Sequence, residues 1–155
     1  MLTMRPAFVM LLAIAFTACS DDNPAGGDNN NNNGTTFTSK ASATINGSAW
    51  TATSVIPQRT AAGGLVIVSF VAHGADGSQF TFGIANASVN TFTVGEGTAN
   101  QADFKFGGKS YGKNETGTIK IDALTDKGMR GSFNITAATN AGETGTAAGT
   151  FEAAF

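Results

Sequence analysis

The sequence contains one cysteine, Cys19, so no disulfide can form within the chain. That count excludes the disulfide scaffolds of small secreted proteins and zinc sites built from several thiolates. The single histidine, His73, is too few for the histidine sets of catalytic zinc sites. We therefore expect neither a metal nor another cofactor, and a fold held together mainly by burial of apolar side chains.

Charged residues are also scarce, at 13% of the chain against about a quarter in ordinary soluble domains. The 9 basic and 11 acidic residues are scattered without blocks, and the net charge is −2. Binding to a phosphate backbone requires a basic stripe or patch. The sequence therefore predicts no nucleic-acid partner.

Residues 1–18 have the layout of an export signal, with Arg5 ahead of an apolar stretch from Pro6 to Phe16. The stretch is shorter than the roughly 20 apolar residues that a transmembrane helix needs. Phe16-Thr17-Ala18-Cys19 resembles the lipobox of bacterial lipoproteins, although leucine is usual where Phe16 stands. The resemblance implies that Cys19 carries acyl chains such as palmitate, becomes the first mature residue and attaches the protein to a membrane.

Residues 19–36 comprise Cys19 and a segment rich in Asn, Gly and Asp without a large apolar side chain. Such a segment cannot offset its ordering entropy, so we predict a disordered tether with an r.m.s. span of roughly 20–25 Å. Ser20-Asp21-Asp22 resembles the acidic export tag of some surface lipoproteins, whereas aspartate there retains lipoproteins at the inner membrane in other bacteria. We expect a bacterial cell-envelope location, at the outer membrane or cell surface rather than the inner membrane.

From Phe37 onward the apolar residues recur with a period of two, which is typical of β-strands. Asn46-Gly47 predicts a tight hairpin turn, because both positions tolerate positive φ. The predicted strands fall within segments 43–50, 65–72, 80–84, 92–94, 104–106, 119–121, 133–135 and 151–155. The last three segments predict an antiparallel meander.

No segment after residue 37 keeps a helical apolar period for three turns. We therefore predict that residues 37–155 form one all-β domain, an antiparallel sandwich or small barrel of eight or nine strands. Ten of the twelve phenylalanines follow residue 36, and they supply much of its core. We expect a monomer.

Ala43-Thr-Ile-Asn-Gly-Ser-Ala-Trp50 resembles the opening of a family of small, uncharacterised β-rich bacterial lipoproteins, in which an Asn-Gly hairpin precedes a tryptophan after the tether. Three later segments are similar to the closing strands of that family: Gly117-Thr-Ile-Lys-Ile-Asp122, Arg130-Gly-Ser-Phe-Asn-Ile135 and Gly149-Thr-Phe151. The resemblance implies an envelope β domain of unknown function. It brings no catalytic residues.

Four side chains are candidate ligand contacts. Tyr111 with Lys109 and Lys113 lies in a glycine-rich segment that nearly fits a phosphate-binding loop, but Asn114 replaces the metal-binding hydroxyl. A Lys-rich hairpin loop with a small contact patch is the interpretation that we adopt. Trp50, the only tryptophan, is either an exposed platform for a ligand or a lid over the core.

Catalytic interpretations find little support. His73 follows an apolar strand and lacks the Gly-x-Ser-x-Gly elbow of serine hydrolases. Most of the acidic residues lie beside predicted turns or opposite lysines, as expected of solvated side chains: Glu96, Asp103, Glu115, Asp122, Asp126, Glu143 and Glu152. We therefore predict no catalytic residues and no enzyme activity.

The leading hypothesis is a membrane-anchored lipoprotein whose β domain binds an unknown envelope partner or small ligand, or serves a structural role. Two alternatives stay open. A small envelope hydrolase would bring two carboxylates within about 5–10 Å in one cleft. A closed-barrel carrier of an apolar ligand would enclose a cavity of about 300 Å³ or more.

Overall fold

A computed structural model describes residues 36–155. The predicted signal segment, the predicted lipidation site at Cys19 and the tether up to residue 35 lie outside the described residues. Residues 36–155 contain no helix that is long and apolar enough to cross a membrane.

The described residues form eleven strands. They are β1 (Lys40–Ile45), β2 (Ser48–Thr51), β3 (Ser54–Ala62), β4 (Leu65–His73), β5 (Gln79–Ile84), β6 (Thr91–Gly95), β7 (Gln101–Phe106), β8 (Lys109–Tyr111), β9 (Lys113–Leu124), β10 (Gly128–Ala138) and β11 (Thr144–Ala154).

The strands make two antiparallel sheets, which pack as a β-sandwich. The six-stranded sheet has the order β2-β1-β11-β10-β9-β6, and the five-stranded sheet has the order β3-β4-β5-β7-β8. The prediction of an all-β antiparallel domain is confirmed, and of the two predicted architectures the structure has the sandwich. The predicted meander is also present, because β9, β10 and β11 are neighbours in register.

The predicted number of eight or nine strands is wrong, because β3 and β8 lie outside the predicted segments. Strand β3 contains Pro57, Gln58 and Arg59, which weaken the alternating apolar signal. It is an edge strand, where proline is tolerated because one side of the backbone needs no partner. Strand β8 has only three residues after Gly107-Gly108, too few to show a period.

The first hairpin forms where the sequence places it. Asn46 has φ 50° and Gly47 has φ 82°, as a two-residue turn with two positive-φ positions requires. The turn pairs Ile45 with Ser48 and sets Trp50 opposite Ala43. The strand pairing set by this turn thus determines which side chains of β1 and β2 face the core.

Phenylalanine rings from both sheets fill the interior. Phe80 of β5 stacks on Phe133 of β10 with ring centroids 3.9 Å apart. Phe151 of β11 lies 5.3 Å from Phe70 and 5.0 Å from Phe82, centroid to centroid. These three ring pairs join the two sheets across the core, so phenylalanine side chains fill the space between the sheets.

Phe133→Ala should lower the free energy of unfolding by about 3–5 kcal/mol, because it removes a buried ring and leaves a cavity. Chemical denaturation followed by Trp50 fluorescence measures the change. Phe155→Ala is the matched control, because Phe155 is exposed, and we expect a loss of less than about 0.5 kcal/mol. A loss below about 1 kcal/mol for Phe133→Ala would contradict the stacked core.

Candidate functional site

Trp50 packs inside the domain, with its side chain only 6% exposed. Its Nε1–H donates to Ser78 Oγ at 2.5 Å. Ser78 in turn donates through its hydroxyl and its backbone N–H to Asp76 Oδ1. These two hydrogen bonds lower the pKa of the Asp76 carboxyl. The indole therefore joins β2 to the turn between β4 and β5, and its one polar atom has a partner within the domain.

Gly74 makes room for this arrangement. A Cβ atom at position 74 would lie 2.3 Å from Ser78 Oγ and 2.5 Å from Trp50 Nε1. No real side chain fits at those distances. The glycine in the β4–β5 turn is thus part of what allows the indole to reach Ser78.

Tyr111 is also 6% exposed. Its ring stacks on Phe104 at a centroid distance of 4.6 Å, and its hydroxyl accepts a hydrogen bond of 3.2 Å from Asn46 Nδ2. It therefore connects β8 to the β1–β2 turn. Trp50 and Tyr111 contact different polar partners, so the structure does not bring the two aromatic side chains together as one platform.

The two candidate lysines lie on the surface near Tyr111. Lys109 Nζ is 2.8 Å from Glu143 Oε1, and this hydrogen bond and ion pair raise the pKa of Lys109. Lys113 is exposed at the first position of β9. Lys109 and Tyr111 thus lie on the edge strand β8, with the tyrosine ring facing inward and Lys109 already paired, whereas Lys113 begins β9 of the other sheet.

Among the acidic residues of the described part, Asp103 has a raised pKa. Loss of hydration is the larger cause, and repulsion from the Glu115 carboxylate is the smaller. A surface hollow of about 350 Å³ beside it is lined by Gln79, Asp103, Phe104, Lys105, Ser110, Tyr111 and Gly112. Glu115 is not part of this lining. The described residues also contain no group of three or more side chains suited to a metal ion.

A second hollow lies on the outer face of the six-stranded sheet, and we call it the Arg130 groove. It has a volume of about 350 Å³. Residues from five strands line it: Lys40, Ala41, Ser42, Thr51, Asp122, Arg130, Gly131, Thr150, Phe151 and Glu152. Strand register explains this grouping, because Glu152 lies opposite both Lys40 and Arg130, and Ser42 lies opposite both Thr150 and Thr51.

The acidic side chains of the groove already have partners. Glu152 accepts hydrogen bonds from the backbone N–H and the hydroxyl of Thr38, at 2.6 and 2.8 Å. Lys40 Nζ lies 3.6 Å from the second Glu152 oxygen, and these contacts lower the pKa of Glu152. Asp122 pairs with Lys120 at 2.7 Å.

The guanidinium of Arg130 differs from these groups. Among residues 36–155 it has no ion-pair or hydrogen-bond partner within the distance limits that define the other contacts. Arg130 is exposed on β10, beside a register shift between positions 130 and 131 against β9. A bulge of this kind redirects a side chain relative to the regular pleat.

Arg130 and Lys40 are not among the site residues that the sequence predicts. Arg130 stands in one of the segments that resemble the closing strands of the lipoprotein family, but only as part of a strand pattern. Its neighbours in the groove are far away in sequence. Alternation marks Lys40, Ser42 and Glu152 as outward-facing, yet the strand order that brings them to Arg130 is visible only in the folded domain.

Comparison with known proteins identifies the family. A family model described as Domain of unknown function (DUF6252) matches residues 29–153. The chain belongs to the DUF6252 family. This match includes every residue of the Arg130 groove, so the groove is part of the DUF6252 domain itself. No curated protein and no solved structure matches the chain.

Proposed function

We propose that this DUF6252 protein is a lipid-anchored protein of the bacterial envelope, at the outer membrane or cell surface, whose β-sandwich is a non-enzymatic binding domain. The resemblance of residues 16–19 to a lipobox supports the anchor. The observation that carries the binding role is a cationic side chain without a partner, Arg130, in a groove whose other charges are paired.

The chemistry of the groove favours a small ligand that bears a carboxylate and several hydroxyl groups. A guanidinium has five N–H donors and no acceptor, and it pairs best with a planar carboxylate or a phosphate. Ser42, Thr51 and Thr150 contribute hydroxyl groups to the same groove, and these can donate to or accept from sugar hydroxyls. A uronic acid combines these features.

The size and position of the groove agree with this class of ligand. Its volume of about 350 Å³ lies near the lower end of small-molecule sites, which are about 300–1,000 Å³. The core between the sheets is occupied by the Phe70, Phe80, Phe82, Phe133 and Phe151 rings. Binding on an outer face therefore requires no rearrangement of the core.

The test uses NMR of the ¹⁵N-labelled, unlipidated chain with galacturonate and with galactose as probes. Galacturonate should shift backbone amides near positions 40–42, 130–131 and 150–152 more than galactose does, because only galacturonate supplies a carboxylate. Arg130→Gln should weaken galacturonate binding about 10-fold or more, since a charge-assisted hydrogen bond contributes about 1.5–3 kcal/mol.

Arg59→Gln is the matched control, because Arg59 is an exposed arginine on β3 of the other sheet. It should bind galacturonate as the unchanged chain does. Equal loss of binding in both variants would indicate a general charge effect. Shifts that avoid the groove, or none at all with galacturonate, would refute the proposed site.

A further inference from the structure

The hairpin formed by β3 and β4 has an apolar outer face. Ile56 is 50% exposed, Leu65 44% and Ile67 45%, whereas alternate residues of β4 such as Val68 and Phe70 are fully buried in the core. Strand alternation places the three exposed side chains on the outer face of the five-stranded sheet. The only other exposed large apolar residues among the described ones are Val89 and Phe155.

The edge of this hairpin is poorly suited to pairing with another strand. Strand β3 lies at the edge of the five-stranded sheet, but Pro57 in its middle has no N–H to donate. Proline and charged side chains on an edge strand oppose strand addition, and Arg59 adds such a charge. An occupant would therefore contact the face of the hairpin, not its edge.

The hairpin carries little charge. Residues 54–73 contain no aspartate or glutamate, and Arg59 is their only lysine or arginine. Across residues 36–155 the eight lysines and arginines balance the eight aspartates and glutamates. Arg59 lies opposite the buried Val68, so strand alternation keeps its charge off the outer face. That face therefore carries no lysine, arginine, aspartate or glutamate, and its exposed Ile56, Leu65 and Ile67 suit the acyl chains of a bilayer.

The loop after β5 connects this hairpin to β9. The Ala87 N–H donates to the carbonyl oxygen of Val66 at 2.7 Å, and the Ile121 N–H donates to the carbonyl oxygen of Asn90 at 2.8 Å. Val66 is the second residue of β4, next to the hairpin turn. The hairpin turn is therefore linked to the part of β9 that leads into the β9–β10 turn.

The chain enters the domain at that same turn. Phe37, the second described residue, is buried and packs so closely on Gly128 that a Cβ there would lie 2.4 Å from the Phe37 ring. Gly128 is the first residue of β10, just past the β9–β10 turn. A tether from Cys19 would thus join the domain toward the end at which the hairpin turn lies.

We infer that the apolar face of the β3–β4 hairpin contacts the bilayer to which the chain is anchored, an inference that rests on the proposed lipid anchor. The sequence predicts a tether with an r.m.s. span of roughly 20–25 Å between Cys19 and the domain, and such a tether would give the hairpin a high effective concentration at the lipid surface. Weak insertion of Ile56, Leu65 and Ile67 is then sufficient to orient the domain.

The experiment attaches the chain to vesicles without using Cys19. A Cys19→Ser chain that starts at residue 19, with an N-terminal hexahistidine tag, is bound to vesicles of phosphatidylethanolamine, phosphatidylglycerol and a nickel-chelating lipid. Ala62→Cys introduces one thiol near the hairpin turn for an environment-sensitive fluorophore. The matched control is Ala148→Cys, an exposed strand alanine on the outer face of the other sheet.

We expect a blue shift of the label at position 62, and its quenching by lipids that carry a spin label on the acyl chain, with neither change at position 148. Adding Leu65→Ser and Ile67→Ser should abolish both signals. Equal behaviour of the two labels would overturn the inference. A blue shift at position 62 without vesicles that grows with protein concentration would also overturn it, because it would assign the face to a second copy.

Failure of this inference is distinguishable from failure of the lipid anchor. The tag replaces the anchor, so the label at position 62 reports on the hairpin whether or not Cys19 is lipidated in the cell. Lipidation is measured separately by mass spectrometry of the native chain. A lipidated native chain with a water-exposed label would reject the hairpin contact and leave the anchor standing.

Discussion

Gly131→Ala is expected to destabilise the domain by about 3 kcal/mol or more, the upper range for a substitution that overpacks a core. A Cβ atom at position 131 would lie 1.9 Å from the carbonyl oxygen of Lys120 and 2.9 Å from the Phe151 ring. The first of these is a backbone atom of the neighbouring strand and cannot turn aside. The strands β9 and β10 would have to separate next to the bulge at position 130.

Gly83→Ala provides the matched control. Gly83 also lies within a strand that is paired on both sides, but a Cβ there meets no atom within 4 Å. We expect a change within about 0.5 kcal/mol, as for most surface substitutions. Urea unfolding monitored by circular dichroism compares the two variants. Similar stabilities of both would show that the close approach at Gly131 does not constrain the sheet.

Local features of the sequence predicted much of the fold. Asn46-Gly47 defines its hairpin by backbone conformation alone, and the segments around Ile119, Phe133 and Phe151 form the predicted meander. These features depend on short-range rules, namely turn geometry and side-chain alternation. The all-β class therefore follows from the sequence without knowledge of which strands pair.

Two strands escaped prediction for a physical reason. Strand β3 packs on the core over only part of its length. The stretch from Ile56 to Arg59 therefore shows no regular alternation of apolar and polar residues. Strand β8 forms because Gly107 and Gly108, both with positive φ, return the chain onto β7. Tertiary pairing creates both strands, and a period in the local sequence cannot reveal them.

The candidate site was harder to predict than the fold. The sequence predicts Tyr111 as part of a contact patch with Lys109 and Lys113, and Trp50 as either a ligand platform or a lid over the core. The folded domain buries both rings and gives their polar atoms partners in Asn46 and Ser78. Arg130, in contrast, becomes distinctive only when the chain is folded. Lys40 and Glu152 meet beside it because β1 and β11 are neighbours.

The two proposed surfaces lie on different sheets. The Arg130 groove is on the outer face of the six-stranded sheet, and the apolar hairpin is on the outer face of the five-stranded sheet. In a sandwich these outer faces point in opposite directions. A domain whose hairpin contacts the bilayer would therefore leave the groove open to solvent, so anchoring and ligand binding are compatible.

Cys19→Ala is expected to abolish lipid attachment, because the substitution removes the sulfur that would carry the lipid. The variant should remain unprocessed in the inner membrane or be released in soluble form. The expected difference in membrane attachment between the two chains is large, because several acyl chains anchor a protein stably whereas a single chain binds a bilayer only marginally. Membrane fractionation and mass spectrometry of the N-terminus measure the two outcomes.

Ser20→Ala is the control for this substitution, because it changes the neighbouring residue and keeps the sulfur. It should retain processing before Cys19 and full membrane attachment. A Cys19→Ala chain that is still cleaved at that position and still bound to the membrane would show that the attachment does not depend on this cysteine. The lipid anchor proposed at Cys19 would then be refuted.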